Sequence, residues 1–239
     1  MTELARTQPG RPHSYEAVAG IYDAVARIWS CGRIDRAKCW AISTISPGSR
    51  VLFAGVGTGL DALHAARRGA RVTALDLAPS MLEATRQRLA AEGFEAELVH
   101  GDLREHTCDE GYDVVVASFV LNVMGPDTMR RALVHLAGLT RENGRLFVSD
   151  FAPARGGVLA RAVAQASWLP VAGIGRLFGL ASAHPLYDYA PVLATAGFEV
   201  VERRGFGLWR GGPDLYEALV AQRARTGPDL SKFSDRCPS

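Results

Sequence analysis

Between residues 50 and 151 short apolar runs alternate with stretches of helical periodicity. No other feature restricts the fold as much. Runs at 50–54, 71–76, 96–100, 112–119 and 144–151 read as strands, and 60–68, 79–91 and 127–139 read as helices. Strands joined through helices must lie parallel, with helices covering both faces of the sheet. Val114, Val115 and Val116 form the unbroken apolar run expected of a strand buried on both sides. Pro79 suits a first helical position. Gly93 and the pair Asn143-Gly144 read as stops after helices.

The flanks read differently. Residues 1–13 are polar and are expected to be a disordered lead. Residues 14–45 carry apolar residues at helical spacing, broken near Cys31-Gly32, and read as a helical cover. The α/β domain is expected over 46–222. Within it, a helical insertion over 152–187 follows the fifth strand. A last helix near 187–196 precedes strands near 198–203 and 216–222, and 223–239 read as a flexible tail.

Composition narrows the function. With 239 residues, one larger α/β domain accommodates the chain. A net charge of +2 without a long basic run gives no sign of a nucleic-acid partner. The four cysteines form no CxxC pair, so neither a metal site nor a disulfide framework is expected. The N-terminus lacks an apolar core, and the uncharged stretch 162–175 is too short to span a bilayer. The expectation is a cytoplasmic protein without a transmembrane segment.

The chemistry concentrates at the ends of three strands. VLFAGVGTG places Gly55, Gly57 and Gly59 directly after the first strand, where ligands bind in open parallel sheets. Asp76 ends the second strand, where a carboxylate can accept both ribose hydroxyls of a nucleoside. Asp102 follows the third, within reach of an adenine amine. A dinucleotide loop would carry its third glycine at position 60, which is Leu60 here, and no phosphate-binding lysine follows. Adenosine carrying an amino-acid chain fits better than NAD.

These stretches, with VTALDLAPSML, HGDLRE, YDVVVASFVLNVM and GRLFVSDF, resemble the class I S-adenosylmethionine-dependent methyltransferases over roughly 45–222. IYDAVARIWSCGRIDRAKCW and SFVLNV are similar to the ubiquinone/menaquinone C-methyltransferase-like branch. The resemblance implies a doubly wound, mostly parallel, seven-stranded Rossmann-like sheet with an N-terminal helical lid. It also implies S-adenosylmethionine as cofactor, with Gly55, Gly57 and Gly59 along the methionine part. Asp76 and Leu77 would lie at the ribose, Asp102 and Leu103 at the adenine, and Met81 among the cofactor contacts. Ser118 and Asn122 would stand beside the reacting centre, with Tyr22 in the lid. His184 and Tyr187 fall in the segment that covers the acceptor in that family and are candidates for substrate contact or general base. His64 and His135 read as surface or packing residues, and His100 as structural.

The implied activity is methyl transfer to a small, largely apolar acceptor. The apolar stretch 156–182 would form the acceptor wall; the other readings are a packed helix pair or a membrane-surface face. One rival activity is attack at the aminocarboxypropyl carbon, releasing methylthioadenosine, either intramolecularly to an azetidine or by transfer to an acceptor. Another is cofactor binding without catalysis. The departure from the family is Phe53, where an acid is usual. Phe53 either packs beneath the loop or leaves the amino-acid tail folded differently.

Overall fold

The computed structural model describes residues 30, 32–153, 155, 186–207 and 212–224. Tyr22, His184, the apolar stretch 156–182, most of the expected lid, the expected lead and the expected tail beyond residue 224 lie outside the described residues, and Arg223, expected in the tail, ends the last strand. The elements run α1 (Arg33–Ile42), β1 (Arg50–Ala54), α2 (Leu60–Arg67), β2 (Arg71–Asp76), α3 (Pro79–Ala90), β3 (Glu97–His100) and β4 (Tyr112–Ser118). A 3-10 turn (Leu121–Val123), α4 (Pro126–Gly138), β5 (Thr140–Phe151), α5 (Ala190–Thr195), β6 (Phe198–Gly207) and β7 (Asp214–Arg223) follow.

The seven strands form one sheet in the order β3-β2-β1-β4-β5-β7-β6. The five strands from β3 to β5 are parallel, whereas β7 runs antiparallel to both of its neighbours. The chain leaves β1 for β2 on one side and returns to β4 on the other, paired at Phe53↔Ala74 and Phe53↔Val116. That reversal makes the carboxyl end of β1 the switch point of the sheet.

The inner strands bury alternate residues on opposite faces. Leu52, Ala54, Val115, Ala117, Leu146 and Val148 pack with Leu133 and Leu136 of α4 and Leu193 of α5. Val51, Phe53, Val114, Val116 and Phe147 pack with Ile42 of α1, Ala62 and Ala65 of α2, and Leu82 and Leu89 of α3. Phe53 is 1% exposed. Its ring fills the core between sheet and helices, so position 53 is apolar for packing.

Asn143-Gly144 do not stop a helix. Helix α4 ends at Gly138 and β5 begins at Thr140, with an irregular register opposite Tyr112 and Val114. A Cβ on Gly144 would sit 2.7 Å from Thr140 Cγ2 and 2.9 Å from the Tyr112 carbonyl. The glycine is there for close strand approach, which mimics a turn signal in sequence.

Candidate active site

The carboxyl ends of β1, β2, β4 and β5 lie on one edge of the sheet. The loop after β1 is sewn to β2 by backbone. Gly55 and Val56 N–H donate to the Leu75 carbonyl at 2.8 and 3.0 Å. Gly57 N–H donates to Asp76 Oδ2 at 2.9 Å and Ala78 N–H to Oδ1 at 3.0 Å. Thr85 of α3 donates to the Gly57 carbonyl at 2.9 Å. Burial pushes the Asp76 pKa up, against the lowering effect of these donors.

All three loop glycines have positive φ, at 73°, 58° and 76°. They serve different ends. A Cβ on Gly55 would lie 2.5 Å from Val120 Cγ2, and one on Gly59 would lie 2.7 Å from Thr85 Oγ1. Those two glycines allow packing. Gly57 alone of the three faces open space, so only there is the missing side chain available to a ligand.

Around the loop, Leu77 is 59% exposed, while Met81 and Leu103 are buried. Asp102 is engaged by Arg104, whose Nε lies 3.0 Å from both carboxylate oxygens. That guanidinium holds the Asp102 carboxyl below its ordinary pKa. His100 Nε2 lies 3.1 Å from the Leu77 carbonyl, a structural contact.

At the end of β4 the geometry changes. Phe119 has φ of 55°, unusual for an aromatic residue. Its N–H donates to the Ser149 carbonyl at 2.8 Å, and its ring meets Phe151 and Tyr216 edge-on, with centroids 5.7 and 5.9 Å away. This bend carries the chain into the 3-10 turn that holds buried Asn122.

Opposite the turn stands Asp150, which the sequence reading missed. It is 1% exposed and accepts hydrogen bonds from Tyr189 Oη at 2.7 Å and Phe151 N–H at 2.8 Å. The backbone and side chain of Asn122 also bond to it, and burial pushes its pKa up to about 7. Tyr187 Oη donates to the Met124 carbonyl at 2.8 Å and its ring leans on Tyr189. Burial, then the Asp150 charge, pushes the Tyr187 phenol up to about 12. Tyr187 is therefore a hydrogen-bond donor at neutral pH, which disfavours it as a base. A carboxylate closing the apolar run GRLFVSDF was the available signal for Asp150. Nothing local pointed to Tyr189 as its partner.

Asp76 has lone pairs to spare beyond its two backbone bonds. Leu77 beside it presents an exposed apolar side chain. Ser118 Oγ and Asp61 Oδ1 are buried without a hydrogen-bond partner. Among the described residues no cluster of three His, Cys, Asp or Glu could hold a metal ion.

Residues 51–144 match the family model described as a methyltransferase domain. A demethylmenaquinone methyltransferase of Clavibacter sepedonicus is 32% identical over 152 residues, covering 60% of this chain and 59% of the relative. A malonyl-[acyl-carrier protein] O-methyltransferase of Serratia marcescens is 34% identical over 140 residues, covering 58% and 51%. The crystal structure of magnesium protoporphyrin IX methyltransferase from Synechocystis PCC 6803 with bound SAH aligns with TM-score 0.60 at 26% identity, covering 83% and 84%. Residues 51–144 are thus similar to a methyltransferase domain, on the fold of a methyltransferase solved with bound SAH. The chain spans roughly half to three fifths of the length of these two curated relatives.

Proposed function

We propose that this chain is an S-adenosylmethionine-dependent methyltransferase acting on a small, largely apolar acceptor. The observation that carries the reading is the built nucleoside cradle: a carboxylate at the end of β2, tied to a glycine loop whose central residue faces open space. Asp76 would accept the ribose hydroxyls, with Leu77 and Met81 beside it, and Leu103 would back the adenine. Asp102 would share its carboxylate between Arg104 and the adenine amine. Gly55, Gly57 and Gly59 would run along the amino-acid chain, with Ser118 near the sulfonium and Tyr22 over it.

The cofactor supplies an electrophilic methyl group, so the protein's task is alignment and exclusion of water. Asn122, bonded to Asp150, would contact the acceptor. Tyr187 and His184 would line the acceptor side, with Tyr187 acting as a donor. Two of the named substrates support the small-molecule class: demethylmenaquinone for one relative, and magnesium protoporphyrin IX for the structural neighbour. No described helix is long and apolar enough to cross a membrane.

The buried, packed position of Phe53 removes the reason to favour attack at the aminocarboxypropyl carbon. The test is to incubate the protein with S-adenosylmethionine, with and without cell extract, and to identify the nucleosides by mass spectrometry. S-adenosylhomocysteine formed only with extract is the expected result. Methylthioadenosine from the cofactor alone, above the spontaneous background, would overturn it.

A further inference from the structure

Glu217 of β7 is a charged residue in the core, 1% exposed. It pairs with Asp150 of β5, also 1% exposed, in the antiparallel register Asp150↔Glu217. Residues opposed in this way point to the same face, with Cβ atoms about 5 Å apart. That face carries α5, because Val148 and Leu219, two residues along each strand, pack with Tyr189 and Leu193 there. The Tyr189 phenol meets both acids. It donates to Asp150 Oδ2 at 2.7 Å, and its pKa is raised by burial, then by Asp150, with the Glu217 charge adding to them.

The two acids differ in what surrounds them. Glu217 Oε2 accepts from Arg155 Nη1 at 2.6 Å and from Arg203 Nη1 at 3.3 Å. Asp188 Oδ1, just before α5, lies 3.6 Å from Arg155 and 3.8 Å from Arg203. Burial pushes the Glu217 carboxyl up, Arg155 opposes this most, and Asp188 and Asp214 add to it. Asp150 receives hydrogen bonds from Tyr189, Phe151 and Asn122, and among the described residues no cation bonds to it. Burial pushes it up to about 7. Two carboxylates side by side out of water repel, so the one that holds the cations ionises first.

We propose that Asp150 and Glu217 hold a single proton between them near neutral pH, and that Arg155 and Arg203 keep it on Asp150. The pair is defined by sheet register and ion pairs and is independent of any cofactor. A neutral Asp150 both donates and accepts, so the proton governs how it holds Tyr189, Asn122 and with them the turn after β4. Arg155 stands on the chain just past β5. Displacing it passes the proton to Glu217 and leaves Asp150 charged.

Carbon-13 NMR of the side-chain carboxyls in the full chain tests the pair, with each signal assigned through its backbone amide and followed as pH rises. In wild type at about pH 6, Asp150 should be neutral and Glu217 ionised. Glu217→Gln removes the neighbouring charge and should lower the Asp150 midpoint by roughly one pH unit. Arg155→Met should lower it too, because Glu217 then takes the proton. Plain attraction between Asp150 and Arg155 requires the opposite sign, since losing a nearby cation raises a carboxyl. A midpoint that fails to fall in either variant overturns the proposal. Should the variants fail to fold, wild type decides: both carboxyls ionised at about pH 6, both protonated, or the proton on Glu217 overturns it.

Discussion

At the end of β2, Asp76 is held by the backbone N–H groups of Gly57 and Ala78, within two residues of it along the chain or across one strand pair. At the end of β5, Asp150 is held by the side chains of Tyr189 and Asn122, from segments 39 and 28 residues away. The first carboxylate keeps an edge toward solvent, whereas the second is fully enclosed. A site made by backbone constrains few side chains and tolerates change around it. One made by side chains holds only while the tertiary packing holds. The proposed nucleoside half of the edge is of the first kind and the proposed acceptor half of the second.

The largest expected effect lies in the acceptor half. The folded pKa of Asp150 is raised to about 7 from an ordinary 3.8. The neutral acid is therefore the form the fold prefers. Its stabilisation is complete below about 3.8 and is lost as pH rises through about 7. Tyr189, Tyr187, Asn122 and the cross-strand partner Glu217 surround it, and none supplies a positive charge. Asp150→Asn cannot ionise. Urea unfolding from pH 5 to 8 should show the variant gaining on wild type at about 1.4 kcal/mol per unit below pH 7, and roughly 2–3 kcal/mol in all. S-adenosylhomocysteine affinity should stay within about twofold. A pH-independent difference would mean that Asp150 is not part of a buried neutral network.

A smaller contrast separates the loop glycines. Gly59→Ala puts a Cβ 2.7 Å from Thr85 Oγ1 at φ 76° and should lower stability by roughly 2–3 kcal/mol. Gly57→Ala meets open space, so only the backbone cost applies, about 1–2 kcal/mol. Thermal melts of the two variants check the order. Equal losses would mean that Thr85 yields to the added methyl group without cost.

The smallest effect on the fold belongs to Asp76→Ala. Losing the ribose acceptor should weaken S-adenosylhomocysteine by roughly 1–3 kcal/mol in titration calorimetry, with a smaller change in unfolding free energy. A stability loss exceeding the binding loss would erase the distinction between the two halves.

Strand and helix positions over 50–139 were readable to within a residue or two, because period-2 and period-3.6 burial are local properties of the chain. Asn143-Gly144 misled because a turn dipeptide and a strand irregularity use the same residues. Asp76 and Gly57 were legible because the backbone that joins them is fixed by one strand–loop–helix unit. The functions of the three glycines were not. Spacing cannot say that Gly55 yields to Val120 and Gly59 to Thr85, leaving Gly57 alone facing open space.

By itself, then, the sequence determined an alternating α/β sheet and marked the glycine loop and the carboxylate at its switch point, since both follow from short-range periodicity and backbone conformation. Only the tertiary structure placed β7 between β5 and β6, buried Phe53 under the loop, left the Asp61 oxygen bare and closed Tyr189 onto Asp150. Those outcomes depend on which faces meet across tens of residues. The free energy that decides them comes from burial and polar pairing between distant segments, and no local pattern encodes it.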